Sequence, residues 1–140
     1  MTLIKAESQD YKYSLLTDKI IKAFYKVYNA LGYGFLEKVY ENALLIELRK
    51  ECLEATAQAP IKVLYDNQMV GEYFADILVQ NSVIVEIKAV RCFAPEHEAQ
   101  LLNYLKATEI EVGLLLNFGI KPEVKRKAFN NPRKNQRRSA

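Results

Sequence analysis

A chain of 140 residues that is 50% hydrophobic and 26% charged has the size and balance of one globular domain, which excludes a disordered or fibrous protein. No apolar run approaches the roughly 20 residues needed to span a bilayer, and MTLIKAESQDYKYS lacks the pattern of a secretory leader, so the expected location is the cytoplasm, with no membrane partner. The net charge of +3 divides unevenly: residues 121–140 hold eight Lys and Arg against Glu123, whereas residues 1–120 hold 12 basic against 16 acidic side chains.

Residues 1–16 read as an N-terminal extension. Thr17 is the expected N-cap of a first helix, with Asp18 in its first turn. Ile20, Phe24, Val27 and Leu31 then recur at helical spacing up to Gly32. Gly32 and Gly34 flank Tyr33 and are expected to supply positive φ in a tight interhelical turn. A second helix is expected from near Phe35 to about Leu53, with Val39, Ala43, Leu44 and Leu48 as apolar positions. PIKVLYD reads as a short strand, and Asp66-Asn67 as turn residues. MVGEYFADILV and VIVEIKAV read as two strands joined by Gln80-Asn81-Ser82. Pro95 opens a helix through about Lys106. EVGLLLNF has the continuous apolar character of a strand buried on both faces, and residues 122–129 suggest a last helix. The order α-α-β-β-β-α-β describes a compact α/β domain with a mixed sheet. It spans residues 17–129, and the basic tail 130–140 follows. That tail either adds phosphate contacts or is a solvated terminus. Cys52 and Cys92 lack metal-ligand spacing and are expected to be reduced thiols or one intramolecular pair.

The second and third strands carry the chemistry. Side chains alternate faces along a strand, so Glu86 and Lys88 share one face, and Val83, Val85, Ile87 and Ala89 share the other. With a three-residue loop, Val79 faces Val83, Ile77 faces Val85 and Ala75 faces Ile87, an all-apolar register. Asn81 or Ser82 is expected to take the left-handed position of that loop. The same register sets Asp76 across from Glu86 at roughly 5 Å between Cβ atoms. Two carboxylates so placed repel unless a cation separates them. Lys88 relieves this in part, and a hard divalent ion that prefers oxygen ligands relieves it better. The plainer alternative is a surface face on which Lys88 forms a salt bridge.

An Asp followed on the next strand by Glu-x-Lys resembles the active-site signature of the PD-(D/E)xK nuclease superfamily, the restriction-endonuclease-like fold. GFLEKVY, with Gly34, Glu37 and Tyr40, resembles the motif that names its bacterial GxxExxY branch. Ala75 stands where the superfamily motif has Pro. The resemblance covers about residues 17–129 and implies a restriction-endonuclease-like core with a nuclease activity. It assigns Mg²⁺, with Mn²⁺ as a substitute, to Asp76, Glu86, the backbone carbonyl of Ile87, and Glu37. Lys88 would orient or deprotonate the attacking water and offset charge in the transition state. Tyr40, one helical turn after Glu37, would be core or would order the site. PEHEAQLLNYL places His97, Gln100 and Tyr104 on one helical face. Gln100 and Tyr104 resemble the Q-x-x-x-Y element of RecB-type nucleases, which contacts nucleic acid or the metal-site carboxylates. The implied substrate is nucleic acid, DNA before RNA, and the implied assembly is a homodimer. The competing reading is a nucleic-acid- or protein-binding module that retains the fold without the activity. A hydrolase with a Ser, Cys or His nucleophile is disfavoured, since His97 is the sole histidine and neither cysteine has a partner motif.

Overall fold

The computed structural model describes residues 13–130. Helix α1, Ser14–Leu31, buries Thr17, Ile20, Ala23, Phe24 and Val27 along one stripe. Its start corrects the expected cap. The helix begins one turn before Thr17, after Tyr13 in the left-handed region, and Thr17 is an interior residue whose Oγ1 donates to the Ser14 carbonyl at 3.0 Å. Burial among apolar neighbours suits a threonine that satisfies its hydroxyl on its own helix, so the helix gains more by continuing than by stopping there.

Gly32 (φ +70°) and Gly34 (φ +111°) make the expected turn. Helix α2, Glu37–Lys50, follows with Tyr40, Glu41, Leu44, Leu45 and Leu48 buried. It is shorter at both ends than its apolar pattern predicts.

Five strands form one sheet in sequence order: β1 Ala55–Tyr65, β2 Gln68–Val79, β3 Val83–Lys88, β4 Val112–Phe118 and β5 Pro122–Ala128. All neighbours pair antiparallel except β3 and β4, which are parallel and joined across one sheet face by helix α3, Pro95–Ala107. Asp66 and Asn67 both take positive φ in the tight β1–β2 turn. Helices α1 and α2 cover one face, packing on Ile77, Val79, Val83, Val85, Ile87, Leu114 and Leu116. Helix α3 covers the other through Leu101, Tyr104 and Leu105 against Ile84 and Leu115. Every residue of β4 is buried, as a central strand between two helical layers requires.

Residues 122–128 form a strand where a helix was expected. The segment alternates: Val124 packs toward α1 and α2, while Lys125 and Lys127 reach Glu98 of α3. Its composition does not exclude a helix, but β4 would otherwise leave a buried backbone edge unpaired, and that need overrides local propensity. The resulting architecture is the mixed five-stranded sheet with flanking helices of the restriction-endonuclease-like class. Cys52 and Cys92 are free and exposed. No helix among the described residues is long and apolar enough to cross a membrane. The tail beyond Asn130 and the N-terminal extension before Tyr13 lie outside the described residues.

Candidate active site

The β2–β3 hairpin keeps the register its apolar residues require, with Val79 opposite Val83 and Ile77 opposite Val85. Gln80 and Asn81 occupy the left-handed positions of its loop. Asn81 was expected there; Ser82 instead donates its amide to the Val79 carbonyl at 2.9 Å and closes the turn.

Beyond Ile77 and Val85 the ladder stops, so the expected pairing of Ala75 with Ile87 does not form. Two carboxylates replace it. The Asp76 amide donates to Glu86 Oε2 at 2.8 Å, and the Ile87 amide donates to Asp76 Oδ2 at 2.7 Å. Each carboxylate thus accepts a backbone amide of the opposite strand, which fixes both side chains at the mouth of a fork. The opposed carboxylates predicted from the hairpin register are therefore present, held by reciprocal side-chain bonds rather than by a continued ladder.

Burial pushes the Glu86 carboxyl up to about 8, and the neighbouring Asp76 adds to the effect. Asp76 is also raised, first by burial and further by Glu41 and Glu37, while the Ile87 amide opposes the shift. Lys88 lowers both acids through space, yet its ammonium forms no ion pair among the described residues. A solvated salt bridge on Lys88 is thus not what this strand face contains.

Glu37 is the first residue of α2, and its Oε2 accepts the Ala89 amide at 3.2 Å, just past the end of β3. It stands beside the acidic pair and adds to the upward shift of both members. No group of three or more His, Cys, Asp and Glu side chains among the described residues is already arranged around one metal position. The donor set nonetheless suits a hard divalent ion. Two opposed, part-buried carboxylates have an unmet need for positive charge, and Mg²⁺ characteristically takes only one or two carboxylates, filling its octahedron with water and phosphate.

Tyr104 lies near enough to Glu86 and Asp76 for both to raise its phenol, after burial. Its hydroxyl accepts the Gln100 amide at 2.9 Å. The two residues therefore act as a linked pair at the fork. His97 sits apart from the acids, at the start of α3, where Nδ1 accepts the Ala94 amide at 3.0 Å. His97, Gln100 and Tyr104 line one wall of an open groove of ≈ 950 Å³ whose other wall is Val63, Gly71 and Tyr73 of the β1–β2 hairpin. Tyr40 does not reach the fork. It is fully buried, stacks on Phe118 at 4.2 Å, donates to the Gly32 carbonyl at 2.7 Å and accepts the Phe35 amide at 3.1 Å. It holds the turn that delivers Glu37.

Two features lay outside the sequence reading. Asn117, fully buried opposite Lys88 in the β3–β4 register, accepts the Val90 amide at 2.9 Å and donates to the Val90 carbonyl at 2.8 Å. It thereby fixes the backbone leaving Lys88. Glu41, one turn after Glu37 on α2, is buried, pairs with Lys38 at 2.7 Å and accepts the Gln58 amide at 2.9 Å. The i, i+4 spacing of Glu37 and Glu41 was a usable signal. A polar residue in an otherwise buried strand was the signal for Asn117.

A model of the PD-(D/E)XK nuclease superfamily matches residues 14–127. Comparison with curated proteins finds no match. Among solved structures, one described as the crystal structure of SSO0001 is similar, with a TM-score of 0.55 and 16% sequence identity over 91% of this chain. The match spans 64% of that protein's length. At this identity the likeness concerns the fold.

Proposed function

Because the chain belongs to the PD-(D/E)XK nuclease superfamily, we propose that it hydrolyses phosphodiester bonds in nucleic acid at the β2–β3 fork with the help of a divalent cation. The observation that carries this reading is the reciprocal clasp of Asp76 and Glu86 beside the Lys88 ammonium, which forms no ion pair among the described residues. Asp76 and Glu86 are the residues that would hold Mg²⁺ or Mn²⁺, with the Ile87 carbonyl as a further donor and Glu37 in support. The bound ion would supply positive charge to the scissile phosphate and lower the barrier to attack by water.

The remaining work falls to the protein. Lys88 ends β3 opposite Asn117 and close enough to the acidic pair to act on both members, so its Nζ can orient a water and donate to the phosphate oxygen on which negative charge grows. Gln100 and Tyr104 would position the strand along the groove, with His97 at its far end. We further assign the chain to the GxxExxY branch on the strength of Gly34, Glu37 and Tyr40, whose roles here are a positive-φ turn, a site carboxylate and the residue that locks the turn between them. DNA is the favoured substrate, and residues 17–129 are the catalytic unit.

A cleavage assay on single- and double-stranded DNA and RNA, with Mg²⁺ and Mn²⁺, tests the proposal. Lys88→Ala is expected to lower the rate by about 100-fold or more without weakening Mn²⁺ binding. Glu86→Ala is expected to remove both cleavage and metal binding while the circular dichroism of the fold persists. Wild-type cleavage that survives in both variants, or that ignores chelator, would refute the assignment.

A further inference from the structure

The layers of the sheet exchange at one step of the β1–β2 hairpin. Ala57 and Ile77 pack under α1 and α2, whereas Ala59 and Ala75, each two residues away and therefore of the same strand parity, pack under α3. The register keeps Ala57 opposite Ile77 and Ala59 opposite Ala75, and the residues between them, Gln58 and Asp76, form no pair. Gln58 stands there at φ +53°, in the left-handed region. A left-handed non-glycine residue inside a strand is strained and persists only where its surroundings hold it. Burial does not hold this one, because Gln58 is exposed. Its side-chain carboxamide donates to the buried carboxylate of Glu41 at 2.9 Å, and Glu41 in turn acts on Asp76.

We propose that Gln58 is a positioning residue of the fork: its left-handed backbone turns the β1–β2 hairpin away from β3, and its carboxamide ties that turn to Glu41 on α2. The turn is what separates the hairpin from β3 below Ile77 and leaves the Asp76 and Ile87 amides for the two carboxylates. Without it the hairpin would run straight, Ala75 would pair with Ile87, and backbone bonds would replace the acidic clasp. The inference rests on the nuclease reading only where it extends to the bound ion.

The test compares the wild type with Gln58→Gly, which keeps the turned backbone and removes the carboxamide, and with Gln58→Val, whose branched side chain resists positive φ. Amide exchange of the metal-free protein is read at Asp76, Ile87 and Ala89, with Leu114–Leu116 of β4 reporting global stability. Gln58→Val is expected to speed exchange at the three fork amides by about 10-fold or more relative to β4, and Gln58→Gly to do so by a smaller factor. Mn²⁺ affinity, measured by calorimetry, is expected to weaken by about 10–100-fold in Gln58→Val. Fork and β4 amides that move together in both variants would overturn the proposal, because Gln58 would then serve stability alone. A wild type that binds no Mn²⁺ would defeat the metal reading instead, and the amide comparison would still decide the role of Gln58.

Discussion

Glu86 keeps its proton near neutral pH in the metal-free protein, because burial strips water from the carboxylate and Asp76 stands across the fork. This makes stability depend on pH with a definite sign. The unfolded chain releases that proton around the ordinary value of 4.5 and the folded one around 8, so between these values the native state binds more protons than the unfolded state. Stability therefore falls as pH rises through that window and is lowest above it. Asp76, also raised, acts in the same direction. Glu47 and Glu98 are lowered by their lysine partners and act below the ordinary carboxylate range, outside this window. Thermal melts of the chelated wild type are expected to show a declining midpoint from about pH 5 to pH 8, and Glu86→Gln is expected to flatten that decline. A divalent ion bound as proposed would reverse the preference, because it would bind the ionised pair. At a hundredfold excess over its dissociation constant the stabilisation is about 2.7 kcal/mol, and at one fixed ion concentration it should be larger at pH 8 than at pH 5. A wild-type midpoint that rises with pH in chelator would contradict the assignment of Glu86.

The elements that bear these residues are stopped and turned by specific polar side chains. β3 ends at Lys88 because Asn117 takes both polar groups of Val90 out of the ladder. Gly119 makes room for this: a Cβ there would lie 2.0 Å from the Val90 carbonyl oxygen, a backbone atom with little freedom to yield. Asn117→Ala leaves two Val90 groups without partners and is expected to cost about 2–4 kcal/mol in urea denaturation. Gly119→Ala is expected to displace the Ala89–Val90 segment, and with it the amide that holds Glu37, so that cleavage falls more than stability. Much of this element level was legible in advance. Apolar alternation in Ile77, Val79, Val83 and Val85 dictates one register, and that register brings Asp76 toward Glu86 without any reference to function. The turn at Gln58 was not legible, because PIKVLYD places the first strand only from Pro60, whereas β1 begins at Ala55, and only the assembled layers reveal that its face changes. β5 was missed for a related reason: its strand character is imposed by the open edge of β4, and a local reading of PEVKRKA contains nothing of that edge.

At the scale of the whole molecule, the charge division decides how a polyanion is captured. The first 120 residues carry more acid than base, and the fork itself is acidic, so the folded body gives little general attraction to phosphate. Lys125 and Lys127 on β5 are already paired with Glu98. If the chain acts as proposed, Arg133, Lys134, Arg137 and Arg138 are the basic residues of the tail that can meet the substrate backbone, and the proposed site groups all lie within residues 37–104. Removing residues 131–140 is therefore expected to raise KM and leave kcat within about twofold, since only binding made equally in ground and transition states is lost. The salt dependence of binding to duplex DNA should flatten by about 0.9 in logarithmic slope for each phosphate contact removed. A loss of kcat at unchanged KM would instead place the tail in the reaction. A chain that binds nucleic acid only through the tail, and in which Lys88→Ala changes nothing, would be a binding module built on a nuclease fold.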